Sequence, residues 1–291
     1  MSSHRHTRRP GPAHLLRPCR GRSGDLFIVS LDELSKGMSG VSVTQRIKQV
    51  KQPRGGYINP KKQMTVVSLG EGADALNPVE NVHTSTMGLV VDYMTRFMTG
   101  ASADDAFRIS LMGAQIIGEL YCAHDLLAGV TGLDNESIIR ATKLVGFDVC
   151  FRAGPMGYKP VEDINPDDDT ITNVRVMVER SLRFLDEYGP KVLDGFTFEG
   201  GYTGTVATGD GDFTTADTLW DFKVSKRPIQ KEHTLQLLMY WRMGLHSVHS
   251  EFRNVKYLGI YNPRMNEVSR IAVADIPQNV IDEVEDEVIG Y

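Results

Sequence analysis

The spacing of apolar residues divides the chain into two unlike halves. From about residue 84 the period is helical. Met87, Val90, Val91, Met94, Phe97 and Met98 recur at three- and four-residue intervals, the stripe of an amphipathic helix. Gly100 suits the stop of that helix and Ser102 the cap of the next, with Asp104 and Asp105 in its first turn. The second helix is predicted to run to about 128. A third follows Asp134 or Asn135 and ends near Gly146. An acidic loop over 160–170 leads to a fourth, about 171–188, with Val174, Val178, Leu182 and Leu185 on one stripe. Beyond 190 the period shortens. Strands are predicted over 192–201, 203–214, 218–225, 256–261 and 268–273, with a helix over about 229–243 between the third and fourth. An acidic helix over about 276–289 ends the pattern.

Composition changes this picture little. With 41% hydrophobic and 24% charged residues, the 291-residue chain can build a core without staples. Cys19, Cys122 and Cys150 are far apart and form no C-x-x-C pair, so neither a zinc site nor a disulfide framework is indicated. No apolar run reaches the roughly 18–20 residues that span a bilayer, and no apolar stretch follows the basic N-terminus as in a signal peptide. A cytoplasmic protein is expected, with no membrane partner.

Charge is more informative. Residues 1–24 hold six arginines and no acid, against a formal charge of −5 for the whole chain, which leaves −11 on the rest. Residues 1–24 read as a disordered basic arm, either a nucleic-acid tail or a loose start. The acidic body argues against a broad non-specific nucleic-acid coat. It leaves room for a local basic groove, or for a site where a metal ion meets phosphates. The turn-rich segment 46–62 is a second basic stretch, with Tyr57 as its one aromatic. It reads as a solvated loop or a phosphate contact.

The chemistry concentrates in Gly209–Tyr240. With Ala216-Asp217 as the turn, Phe213 faces Trp220 and Asp212 faces Asp221 across a hairpin. Strand alternation then sends Trp220, Phe222 and Val224 to one side, toward the core, and Leu219, Asp221 and Lys223 to the other. Two carboxylates and an ammonium converge about 5–7 Å apart. Ionised carboxylates this close repel and call for a cation, and hard oxygens suit Mg²⁺ or Mn²⁺. A lysine beside them can orient a water or stabilise charge developing on a phosphate. The alternative is an exposed hairpin with an ordinary Asp–Lys pair. Asp221-Phe-Lys223 is the chain's only [DE]-x-Lys.

In order, the chain carries Gly209-Asp-Gly-Asp212, then Asp221-Phe-Lys223, then Gln236-Leu-Leu-Met-Tyr240. This set resembles the PD-(D/E)XK nuclease superfamily in its RecB-like branch, over about residues 192–273. The resemblance implies an α/β fold with a restriction-endonuclease-like core, a small mixed sheet flanked by helices, behind a helical N-terminal half. Three parts are expected: the arm 1–24, a mainly helical region 25–190 packed on the core, and the nuclease core 191–291. Asp212 and Asp221 would hold Mg²⁺ or Mn²⁺ with the Phe222 carbonyl. Lys223 would position the attacking water, and Gln236 and Tyr240, joined by His233, would line the site. Glu199 fits the acidic place on the preceding strand. The first motif, a helical Glu or His upstream, is filled by Asp92 in Gly88-Leu-Val-Val-Asp92, or by His83. With no cysteine after Cys150, no iron–sulfur cluster is expected.

Lys226, Arg227 and Lys231 read as phosphate contacts or as a solvated cluster. The implied activity is hydrolysis of DNA phosphodiesters in repair, recombination or phage-related processing, with DNA and a helicase or recombination protein as partners. The alternatives are a non-catalytic nuclease-fold module that binds DNA or protein, and a helical interaction protein whose hairpin is structural. No P-loop is present, and neither Asp167-Asp-Asp169 nor Asp210-Gly-Asp212 continues as a calcium loop.

Overall fold

The computed structural model describes residues 40–70 and 75–291; the arginine-rich arm and Cys19 lie outside them. The chain is mixed α/β. Eight strands are present among the described residues: β1 (Val41–Ser42), β2 (Thr65–Ser68), β3 (Leu193–Thr197), β4 (Val206–Thr208), β5 (Asp210–Thr214), β6 (Thr218–Phe222), β7 (Tyr257–Asn262) and β8 (Glu267–Ala272). Six form one mixed sheet in the order β2-β8-β7-β6-β5-β3, and β1 pairs with β4 in a separate ribbon. Within the large sheet only β6 and β7 run parallel. A parallel pair cannot be closed by a tight turn, and the crossover here is a helix, Lys231–His246.

Helices cover both faces. The helices are α1 (Val43–Gln49), α2 (Thr84–Met98), α3 (Ala103–Ala106), α4 (Arg108–Ile116), α5 (Leu120–Ala128), α6 (Asn135–Leu144), α7 (Asp148–Ala153), α8 (Asp168–Tyr188), α9 (Lys231–His246) and α10 (Gln278–Glu283). On one face α9 contributes Leu235, Leu238 and Met239 to a core shared with Leu219, Leu258, Ile260 and Ile271 of the strands. On the other, Phe184 of α8 stacks on Tyr261 at 3.9 Å and meets Trp220 edge-on at 4.9 Å. Helices α2 to α6 enclose a second core with Val90, Val91, Met94, Ile138 and Phe147. The 21-residue α8, about 31 Å long, joins the two. Its Val174, Met177 and Val178 belong to the helical core, and Phe184 to the sheet.

Several predicted boundaries move. The helix expected to reach 128 is three helices, interrupted at Phe107 and again near Gly118, whose φ of +76° a helix cannot hold. The strand expected over 203–214 divides into β4 and β5, which enter different sheets. The last helix widens into a π-turn over Val284–Ile289. Ser102 and Asp134 do cap α3 and α6, accepting from the backbone N–H of Asp105 and Ser137. Residues 40–68 side with the sheet, through β1, α1 and β2. Tyr57, expected in a loop that either meets solvent or contacts phosphate, is buried and donates to Glu283 Oε1 at 3.1 Å. No helix among the described residues is long and apolar enough to cross a membrane.

Candidate active site

The hairpin forms in the register its turn dictates. Phe213 lies opposite Trp220, Thr214 opposite Leu219, and Thr215 N–H donates to the Thr218 carbonyl. That register sets Asp212 beside the end of β6, where its Oδ2 accepts from the Phe222 N–H at 2.6 Å. Lys223 Nζ sits 2.8 Å from Asp221 Oδ1. Asp221 is 1% exposed, and its buried Oδ2 has no hydrogen-bond partner among the described residues. Few buried polar atoms stay unsatisfied.

Alternation along β6 holds, but not the contrast of buried and open faces. Leu219 and Asp221 are as deeply buried as Trp220, because α9 covers their face. Phe222, expected in the core, is half-buried and lines a cleft of about 690 Å³ between the hairpin and α2. Asp210, Asp212 and Lys223 also line it, facing Gly88, Asp92 and Arg96 of α2, with Arg108 and Arg152 further along.

Charge in this cleft is strongly coupled. Burial first, and then the neighbouring Asp221 and Asp92, push the Asp212 carboxyl up to about 7, against the pull of Lys223 and the Phe222 N–H. For Lys223, burial favours the neutral amine, and the attractions of Asp221, Asp212 and Asp92 together outweigh it, leaving the ammonium above its ordinary value. The ammonium therefore serves two carboxylates that would otherwise repel each other.

Of the two upstream candidates, Asp92 is the one that lines the cleft. It pairs with Arg96 one turn later at 3.0 Å, and its charge is felt by both Asp212 and Lys223. Arg96 in turn spans to β3, where a Cβ on Gly195 would lie 2.6 Å from Arg96 Nη1. His83 does not join the hairpin. It caps α2, its Nδ1 accepting from the Ser85 N–H at 3.2 Å, and it lines the neighbouring cavity. Glu199, assigned to the acidic place on the preceding strand, is exposed in the turn after β3, and only its carbonyl is engaged, by Val248 N–H. The acid that does stand on that side is Asp210, paired with Thr197 across β3 and β5.

Gln236 and Tyr240 lie on α9 behind the carboxylates and do not line the cleft. Gln236 Nε2 donates to the Tyr240 hydroxyl at 2.8 Å, and burial, with Asp221 and Asp212 nearby, keeps that phenol well above its ordinary value. His233 Nδ1 accepts from Gln230 N–H, and burial and the Lys223 charge push its imidazole down. Lys226 is engaged by Glu80 and the Pro78 carbonyl. Arg227 is exposed. Arg96, Arg108 and Arg152 carried no sequence signal as site residues; the spacing of Arg96 four residues after Asp92 is the one clue present.

Among the described residues no group of three or more His, Cys, Asp or Glu side chains is placed to hold a metal ion. The donor set nonetheless fits a hard divalent cation of the Mg²⁺ kind. Such an ion is commonly held by one or two carboxylates, with waters and substrate phosphate completing its shell. Asp221 Oδ2 is a buried acceptor lacking a donor, and Asp212 stands beside it on the partner strand.

Comparisons with protein-family models, with curated proteins and with solved structures each returned no match.

Proposed function

We propose that the chain is a Mg²⁺- or Mn²⁺-dependent deoxyribonuclease with a restriction-endonuclease-like core of the RecB-like PD-(D/E)XK type. The observation that carries this reading is the unpartnered Asp221 Oδ2, buried behind the Asp212 and Lys223 that line an open cleft. A structural ion pair would satisfy both oxygens. Asp221 and Asp212 would hold the cation together with the Phe222 carbonyl, and the bound ion would supply Lewis-acid stabilisation of phosphate charge. Lys223, with its charge held by both carboxylates, orients the water that attacks phosphorus and stabilises the charge that develops there. The Phe222 N–H fixes one Asp212 oxygen. Gln236 and Tyr240 support the carboxylates from behind.

Purified protein with Mg²⁺ or Mn²⁺ degrades labelled DNA on this reading, and Lys223→Ala, folded by circular dichroism though less stable, lowers the rate by roughly 10³-fold. Equal rates in the two proteins overturn the assignment. A second reading, a nuclease-fold module that binds DNA without cutting it, draws on one feature. Arg96 neutralises Asp92 at 3.0 Å, the position where the superfamily's first acid would act. DNA binding without cleavage, in either metal, selects that reading.

A further inference from the structure

The cleft over the hairpin is not alone. A second cavity of about 600 Å³ opens beside it, between the N-terminal turn of α2 and α7. The two share Ser85, Leu89 and Arg152 as a dividing wall. Each falls in the roughly 300–1,000 Å³ range of small-ligand cavities. That is room for one or two nucleotides of one strand and too little for a base-paired duplex.

Arg152 on the divide is held on one side only. Its Nε faces Asp148 Oδ2 at 3.4 Å and its Nη2 donates to the Tyr93 hydroxyl at 3.1 Å, while the side chain stays 46% exposed. Among the described residues its Nη1 has no hydrogen-bond partner. The holder is buried and complete. Asp148 also accepts from Tyr93 at 2.6 Å and from Ser110 at 2.5 Å. A guanidinium anchored at its back and open at its front presents a fixed fork to an anion. Exposed Lys159 stands across the second cavity, whose other walls include apolar Leu89, Val149 and Ile164. Cations at the rim and an apolar interior suit a phosphate outside and a base within.

We infer that the second cavity is a subsite for a nucleotide flanking the scissile phosphate on the same, unpaired DNA strand, with Arg152 gripping the phosphate between the two cavities. This rests on the nuclease reading of the cleft, and it makes the helical half the part that selects single-stranded substrate.

The test measures binding and cleavage separately. A fluorescein-labelled single-stranded oligodeoxynucleotide and its duplex are titrated by anisotropy in Ca²⁺ buffer, against the full-length chain, Arg152→Ala and Lys159→Glu. Single-strand affinity is expected to fall about fivefold to tenfold in each variant. The salt slope of Arg152→Ala should drop by about 0.7. Duplex affinity, already weaker in the parent, should change less. An abasic position placed along the strand should cost affinity at one site in the parent, the one whose base enters the apolar interior. Because Arg152→Ala releases Asp148, its melting temperature is recorded, and Arg152→Lys should recover part of the affinity. Lys159, on the surface, carries no such risk. If both variants bind single strands like a parent that cleaves DNA, the subsite is overturned and the nuclease reading stands. If both lose affinity while the parent never cleaves, the nuclease reading falls, and with it the scissile phosphate, and the cavity stands only as a single-strand binding site. Stronger binding of the duplex than of the single strand by the parent also overturns the subsite.

Discussion

Two aspartates in this chain are equally buried and do opposite things with their charge. Asp148, at the start of α7, has both oxygens satisfied, by Tyr93, Ser110 and Arg152. Asp221, in the middle of the sheet, has Lys223 on one oxygen and nothing on the other. A buried charge stabilises a fold only when its partners replace the water it lost. Asp148 comes nearer to that condition: burial still pushes its carboxyl up, but Ser110, Tyr93 and Arg152 all pull against it. Asp221 does not meet it, and beside it Asp212 is pushed up to about 7 by burial and by the neighbouring charge. This incomplete satisfaction is what the proposed cation site rests on.

Exchanging each aspartate for a neutral residue breaks the comparison most directly. Asp221→Asn is expected to lower DNA cleavage by roughly 10³-fold and to abolish Mn²⁺ binding by calorimetry, with little loss of thermal stability. A large drop in melting temperature would give Asp221 the same structural role as Asp148. Asp148→Ala should do the reverse. It strands the Tyr93 and Ser110 hydroxyls and the Arg152 charge, costing about 3 kcal/mol in denaturant unfolding. A change below about 1 kcal/mol, the worth of one ordinary hydrogen bond, would show that the network is not a stabilising anchor.

A smaller effect of opposite sign is expected at Asp212. Asn keeps an acceptor for the Phe222 N–H and removes a repelled, buried charge. Asp212→Asn should therefore raise stability by about 1 kcal/mol while eliminating cleavage. A loss of stability would mean that Lys223 needs both carboxylates to remain in place.

The smallest effect concerns pH. The His233 imidazole is held below its ordinary value by burial and by Lys223, against Asp221 and Glu232, which favour its charge. A histidine whose pKa is lower folded than unfolded contributes stability above its unfolded value, near 6.5, and that contribution is lost as pH falls through the folded value. Protonation also removes the acceptor that Nδ1 offers to Gln230 N–H. Between pH 7.5 and 5 the parent should lose more melting temperature than His233→Gln, by about 2 °C. Parallel curves would remove His233 from the account.

Local interactions explain what could be read before folding. Caps depend on one side chain and a backbone group three residues away, so Ser102 and Asp134 were legible, and so was the helical stripe through Val90 and Met94. The hairpin register depends on a two-residue turn, so Phe213 opposite Trp220 was legible as well. The approach of Asp92 to the hairpin was expected only through a resemblance; physically it depends on packing between two cores that α8 connects. Glu199 failed for the same reason in reverse. β3 ends at Thr197, before it, and the turn carries it to solvent.

By itself the sequence determined the two-part pattern of helix and sheet, the turn at Ala216-Asp217, and the clustering of Asp212, Asp221 and Lys223 on one hairpin. Each follows from periods of 3.6 and 2 and from contacts within a few residues. Only the tertiary structure decided that α9 buries the charged face instead of leaving it open, that Asp210 and Asp92 complete the cleft, and that Tyr93, Ser110 and Asp148 aim Arg152 across it. Those outcomes rest on contacts between residues tens of positions apart, whose geometry is set by how whole helices pack and leaves no local pattern in the chain.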